Sequence, residues 1–262
     1  MSAGGRTFTR VRIILWLTTL VVAAAYVYSV RRERSQRRAW DRTLAVRVVL
    51  LAADPSAPGP ALLRRSLPAL AARLAEEAER HRGAGPAPFS FTAHGPVVWR
   101  EPLPLGPPDG SLLSRVRHAL VVWGTLRRID EAAGPAADAA DARIYVLVEP
   151  HGEELRTFAE GAGAQGGEVG MVRAAVAGGD ALLALAAIGH ELLHCLGAGD
   201  KYGADGHALA PQGLVEPGPG PQRFAEWMVG EVPLGPGRGR LPTSLGELAV
   251  GEATAREIGW IP

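Results

Sequence analysis

The sequence predicts an α+β protein with an α/β-like N-terminal half, preceded by one membrane-spanning helix. Three observations carry that expectation. Strand-like and helix-like stretches alternate between residues 44 and 149, the order that builds a sheet covered by helices. A run at 181–196 is apolar nearly all round, which marks a buried helix. An uncharged, mostly apolar run of 18 residues, 13–30, lies between arginine clusters and is close to the length that crosses a bilayer. The chain of 262 residues is long enough for one sizeable domain plus such an anchor.

Residues 1–12 read as an N-terminal tail, 13–30 as the anchor, 31–42 as a basic linker and 43–262 as the globular domain. Arg6, Arg10 and Arg12 precede the apolar run, and Arg31, Arg32, Arg34, Arg37 and Arg38 follow it. Tyr26, Tyr28 and Trp40 suit a membrane interface. Ala23-Ala24-Ala25 would also suit signal-peptide cleavage, but the apolar run continues beyond it, as an uncleaved anchor would. The arginine bias places the domain in the cytoplasm. The short tail points the other way, so sidedness stays open.

Within the domain, 44–51 is rich in Val and Leu and reads as the first strand. A proline-containing loop follows, and 61–82 has helical periodicity despite Pro68. A short strand is expected at 97–100, then a loop at 102–110. Ser111 caps a helix running to about residue 133. Residues 143–149 and 166–176 read as strands. Asp180 is the expected N-cap of the apolar helix, and Gly197 its stop, having no Cβ to resist a left-handed backbone. Residues 233–242 are dense in Gly, Pro and Arg and read as a loop. Ser244-x-x-Glu247 has capping-box spacing for a short helix that Gly251 ends or interrupts, and 252–258 forms the last helix, stopped by Gly259.

The chemistry concentrates at 190–200, which reads His-Glu-Leu-Leu-His-Cys-Leu-Gly-Ala-Gly-Asp. His190 and His194, four apart, stand on one helix face, so their imidazoles can converge on one ion. Glu191 is angled to reach a water bound there, and Asp200 follows Gly197 at a spacing where a reversed chain offers a third ligand. Two neutral imidazoles, a carboxylate and an open position describe one catalytic Zn2+ ion with Glu191 as general base. Left without partners, such buried groups would cost roughly 1–3 kcal/mol each. Three other residues compete for the third position. His207 lies in a glycine-rich loop, and Glu216 and Glu226 are far enough downstream, although the glycine and proline of 203–223 disfavour the second helix that a downstream glutamate requires. Tyr202 would pack, or turn its hydroxyl towards a reaction intermediate.

The pattern His190-Glu191-x-x-His194-x-x-Gly197-x-x-Asp200 resembles the elongated zinc motif of metzincin metallopeptidases. Its terminal aspartate is similar to the snapalysin-like subset, and to the matrixin-like domains with histidine replaced. Ala225-Glu226-Trp227-Met228-Val229-Gly230 resembles the clan's Met-turn, which makes Met228 an apolar floor and no ligand. Residues 250–260 look like the C-terminal helix packed behind such sites. The resemblance implies a zincin domain with a twisted mixed sheet and a buried active-site helix. It also implies that the strand before that helix runs along the cleft edge and pairs with extended substrate.

The implied activity is that of a membrane-anchored zinc endopeptidase acting on peptide or protein substrates. In it, Glu191 takes a proton from zinc-bound water and returns it to the leaving amine. The alternative is a proteolytically weak zinc-binding factor tethered to the membrane for assembly or binding. A general base has no use in a purely structural, closed zinc site, which favours the enzyme. A metal-dependent endoribonuclease fits less well. Net charge is +1, no basic groove is evident, and no nucleic-acid partner is expected. Cys195 is the only cysteine, so no intrachain disulfide exists, and a buried inert thiol is the expected role.

Overall fold

The computed structural model describes residues 3–106, 110–134, 140–149, 159–163, 165–176, 181–218 and 220–262. The chain divides into two units, Met1–Ala39 and Trp40–Pro262.

The first unit is one helix, α1 (Ala3–Arg37). It corrects the expected anchor. Among the described residues no helix is long and apolar enough to cross a membrane. The helix continues from the apolar segment into arginine-rich segments at both ends. The transmembrane segment and the single-pass membrane localisation are therefore withdrawn, and with them the anchored α+β class. The chain is a mixed α/β protein.

The second unit opens with β1 (Leu44–Ala52), α2 (Pro58–Arg82) and β2 (Phe89–Val98). Next come α3 (Leu112–Ala133), β3 (Ala142–Glu149), β4 (Ala159–Gly163), β5 (Val169–Ala175) and α4 (Leu182–Leu196). The five strands form one sheet in the order β2-β1-β3-β5-β4. Three of the four pairings are parallel, and in the fourth β4 runs antiparallel to β5. β1 and β3 are central, and their stretches 48–52 and 144–148 are buried at every position, so these read as continuous apolar runs. The strand before α4 is thus an inner strand. Among the described residues the edge on that side of the sheet belongs to β4, which corrects the cleft-edge expectation for 166–176.

β2 is longer than the expected 97–100. His94, Gly95 and Pro96 read as turn residues, but they sit in a bulge where the register shifts by one residue opposite β1. Gly95 takes a left-handed φ of 91° there. An edge strand tolerates both the bulge and the proline.

α2 begins with prolines in its first turn, where no backbone donor is needed. Leu63, Leu67, Leu70, Leu74 and Ala78, at helical spacing, face the core and join it to α4. On α4, Leu185, Ile188, Leu192, Leu193 and Leu196 are all buried, each contributing roughly 1.5–3 kcal/mol. The expected cap Asp180 lies outside the described residues, and Ala181 at the N-cap makes no side-chain bond. On the other face of the sheet α3 packs loosely, leaving a cavity of about 1190 Å³ lined by Val122, Leu126, Ala162 and Met171 among others.

The C-terminal segment closes the α4 side. β6 (Ala225–Glu226) pairs with β9 (Leu248–Ala249), and β7 (Val232–Gly235) with β8 (Arg238–Arg240). That hairpin replaces the loop expected at 233–242. Ser244 makes no capping bond. Glu247 instead pairs with Arg240 and accepts from the Thr243 N–H, leaving a single 3-10 turn at Leu245–Glu247. The last helix, α5 (Glu252–Glu257), is stopped as expected near Gly259, whose φ is 79°. Glu77, buried on α2, accepts from the Val250 N–H at 2.7 Å and stitches this segment to the body.

Candidate metal centre

α4 delivers the first three groups of the site. His190, Glu191 and His194 each offer an atom within 4.8 Å of the others, an arrangement that could hold a metal ion. The imidazole centroids are 4.6 Å apart and nearly perpendicular, at 81°. Each ring is oriented by a main-chain carbonyl. His190 Nδ1 lies 3.2 Å from the Trp227 oxygen and His194 Nδ1 2.8 Å from the Ala198 oxygen. A proton on each Nδ1 satisfies those carbonyls and leaves both Nε2 lone pairs free to bind metal.

Gly197 makes the approach of Asp200 feasible. It ends α4 with a φ of 109°. Its N–H donates to the His194 carbonyl at 2.9 Å, while the Ala198 N–H donates to Leu193 at 3.0 Å. The reversed chain brings Asp200 Oδ1 to 3.2 Å from both His190 Nε2 and His194 Nε2. Ligand atoms about 2.1 Å from a tetrahedral zinc lie about 3.4 Å apart, close to these 3.2 Å spacings. The two imidazoles, by hydrogen bonding, hold the Asp200 carboxyl well below the usual carboxylate range. Burial favours neutral His194, but its bonds to Asp200 and Ala198 outweigh this and raise its pKa. A metal at Nε2 would displace that proton.

Glu191 is 2% exposed. Among the described residues its Oε2 is buried without a hydrogen-bond partner. Burial pushes its pKa up, opposed by the neighbouring imidazoles. Two glycines make room for it. A Cβ at Gly170 would lie 2.7 Å from Glu191 Cβ, and one at Gly161, on the edge strand, would overlap its carboxylate.

The turn after β6 packs against the start of this constellation. Val229 and Gly230 N–H groups donate back to the Glu226 carbonyl at 2.9 and 3.0 Å. Met228 is fully buried. Trp227 Nε1 donates to the Ala186 carbonyl at 2.9 Å, its ring pressed against Gly189 of α4.

The competing third ligands are engaged elsewhere. His207 Nδ1 pairs with Glu231 at 3.0 Å, and Glu216 pairs with Arg223 at 2.6 Å. Glu226 is fully buried and accepts from the Met228 and Gly251 N–H groups. Tyr202 is partly exposed. Burial first, then the Asp200 charge and a hydrogen bond to it, raise the phenol's pKa. Cys195 is buried and takes part in no disulfide.

Sequence reasoning missed Gly161, Gly170, Gly189 and the carbonyls of Trp227 and Ala198. Carbonyl roles leave no trace in residue type. The glycines were visible only as breaks in strand or helix preference. Comparison with known protein families and with curated proteins yields no match.

Proposed function

We propose that this chain is a zinc-dependent endopeptidase of metzincin type. The observation that carries the reading is the convergence of His190 Nε2, His194 Nε2 and Asp200 Oδ1 beside a buried carboxylate, Glu191, that has an unpartnered oxygen. The donor set suits Zn2+, which takes imidazole and carboxylate ligands and keeps a position open in catalytic sites. When bound, zinc supplies Lewis acidity that polarises a carbonyl and acidifies water.

The chain's own residues do the rest. Glu191 accepts a proton from the attacking water and hands it to the leaving amine. Its raised pKa suits both halves of that transfer, because a carboxylate that protonates easily is the better base. Trp227 and Ala198 carbonyls fix the imidazole tautomers. Met228 serves as the apolar floor of the site. Among the described residues β4 is paired on one side only, so an extended peptide can add to its outer edge through main-chain hydrogen bonds.

The test is digestion of an unbiased peptide library by the zinc-loaded full chain, read by mass spectrometry, with Glu191→Ala in parallel. Cleavage by the wild type alone supports the reading. Zinc bound with no cleavage by either would favour a zinc-dependent binding factor.

A further inference from the structure

Asp200 is the most exposed of the metal-facing residues, with 43% of its side chain accessible against 18% for His190 and 11% for His194. It lies on a loop, so something outside α4 must fix it. Residues on both sides of it are held by one oxygen. Glu257 Oε2, at the last position of α5, accepts from the Gly199 N–H at 2.9 Å and from Lys201 Nζ at 2.7 Å. Lys201 Nζ also donates to the Gly199 carbonyl at 2.6 Å, and the Lys201 N–H to the Met228 carbonyl at 3.1 Å. The turn 199–201 is thereby closed into a ring, with Asp200 projecting from it.

Lys201 is the only lysine in the chain, and it is 5% exposed. Burying a long, flexible ammonium costs both solvation and side-chain entropy. Glu257 and the Gly199 carbonyl compensate it. α5 is in turn fixed to the body, because Trp40 Nε1 donates to the Ile258 carbonyl at 2.9 Å. Among the described residues the Glu257 carboxylate accepts from the two immediate neighbours of Asp200, the arrangement expected of a strut for that residue.

We infer that Glu257 is a positioning residue for the metal centre, holding the Asp200 carboxylate over the His190–His194 pair through Gly199 and Lys201. The inference rests on Asp200 being a metal ligand. Partners beyond the ligands typically control metal affinity by about 10–100-fold.

The test uses the full chain, with zinc affinity measured by competition and visible absorption of the Co2+-substituted protein as a second readout. Asp200→Ala is the reference. Glu257→Ala should weaken zinc binding by about 10–100-fold and shift the Co2+ bands, because the carboxylate leaves its place. Lys201→Met should do the same. Glu257→Gln keeps an acceptor for Gly199 and should fall between. If Glu257→Ala does not fold, the other two substitutions carry the test. Clamp variants with wild-type affinity and spectrum, while Asp200→Ala loses zinc, would overturn the clamp and leave Asp200 as a ligand. Asp200→Ala binding zinc like the wild type would remove the ligand assignment and the clamp together.

Discussion

Gly161 on the edge strand lies directly against the Glu191 carboxylate, where any β-carbon would overlap Glu191 Oε1. Under the proposed function, the strand that would take a peptide and the base that would act on it are in contact. Gly161→Ala should push the carboxylate aside without removing a metal ligand. We expect kcat/KM to fall by about 100-fold, as for a 1 Å misplacement of a reacting group, with zinc content unchanged. Steady-state kinetics beside metal analysis of the same sample checks this.

Asp200 and His207 compete on paper for one role, and their surroundings separate them. Asp200→Ala should lose most of its zinc, more than the roughly 100-fold effect typical of partners beyond the ligands. His207→Ala should retain it, because His207 is paired with Glu231. Zinc titration of both variants decides, and an empty site in His207→Ala alone would reverse the assignment.

Glu226 supports the Met228 turn from inside. Its carboxylate accepts from two buried N–H groups, and burial raises its pKa. Glu226→Ala should cost roughly 2–5 kcal/mol, from two orphaned donors and the lost volume. The sign of the pH effect follows from the raised pKa. The protonated form is favoured in the folded state, so the contribution is fully present below the ordinary glutamate value and is lost as pH rises through the folded one. The stability of the wild type relative to Glu226→Gln should therefore decline as pH rises above the ordinary glutamate value of about 4.3. Denaturant unfolding of both proteins across pH 4–8 measures it.

Gly189 is the point where the turn meets α4. A Cβ there would lie 2.5 Å from Trp227 Nε1. Gly189→Ala should destabilise by roughly 1–3 kcal/mol through overpacking, each kcal/mol lowering Tm by about 2–4 °C in a domain of this size. Thermal unfolding of the metal-free proteins tests this without reference to activity.

The helix carrying His190 and His194 was legible because its apolar residues, its terminal glycine and its imidazole spacing all agree. β1, α2 and β3 were legible for the same reason, consistency between period and composition. β4 was not, since Ala-Glu-Gly-Ala-Gly has poor strand preference. It pairs along β5 and places Gly161 where a β-carbon would overlap the Glu191 carboxylate. The 232–240 hairpin was hidden by its glycine and proline content. The expected anchor failed for a different reason. The apolar run and its flanking arginines suggest a span, whereas the helix that forms takes in those arginine segments, and among the described residues no helix is long and apolar enough to cross a membrane. Glu257 and Lys201 were invisible because 56 residues separate them, and no local pattern links a last-turn glutamate to a loop so far upstream.

The most direct measurement of the central claim, an ion held by His190, His194 and Asp200, is zinc K-edge X-ray absorption on the zinc-loaded full chain. The account predicts two imidazole nitrogens and carboxylate or water oxygens at about 2.0–2.2 Å, with no sulfur, and loss of one oxygen ligand in Asp200→Ala. A sulfur shell at about 2.3 Å, which Cys195 alone among the cysteines could supply, or a site unchanged in Asp200→Ala, would contradict it.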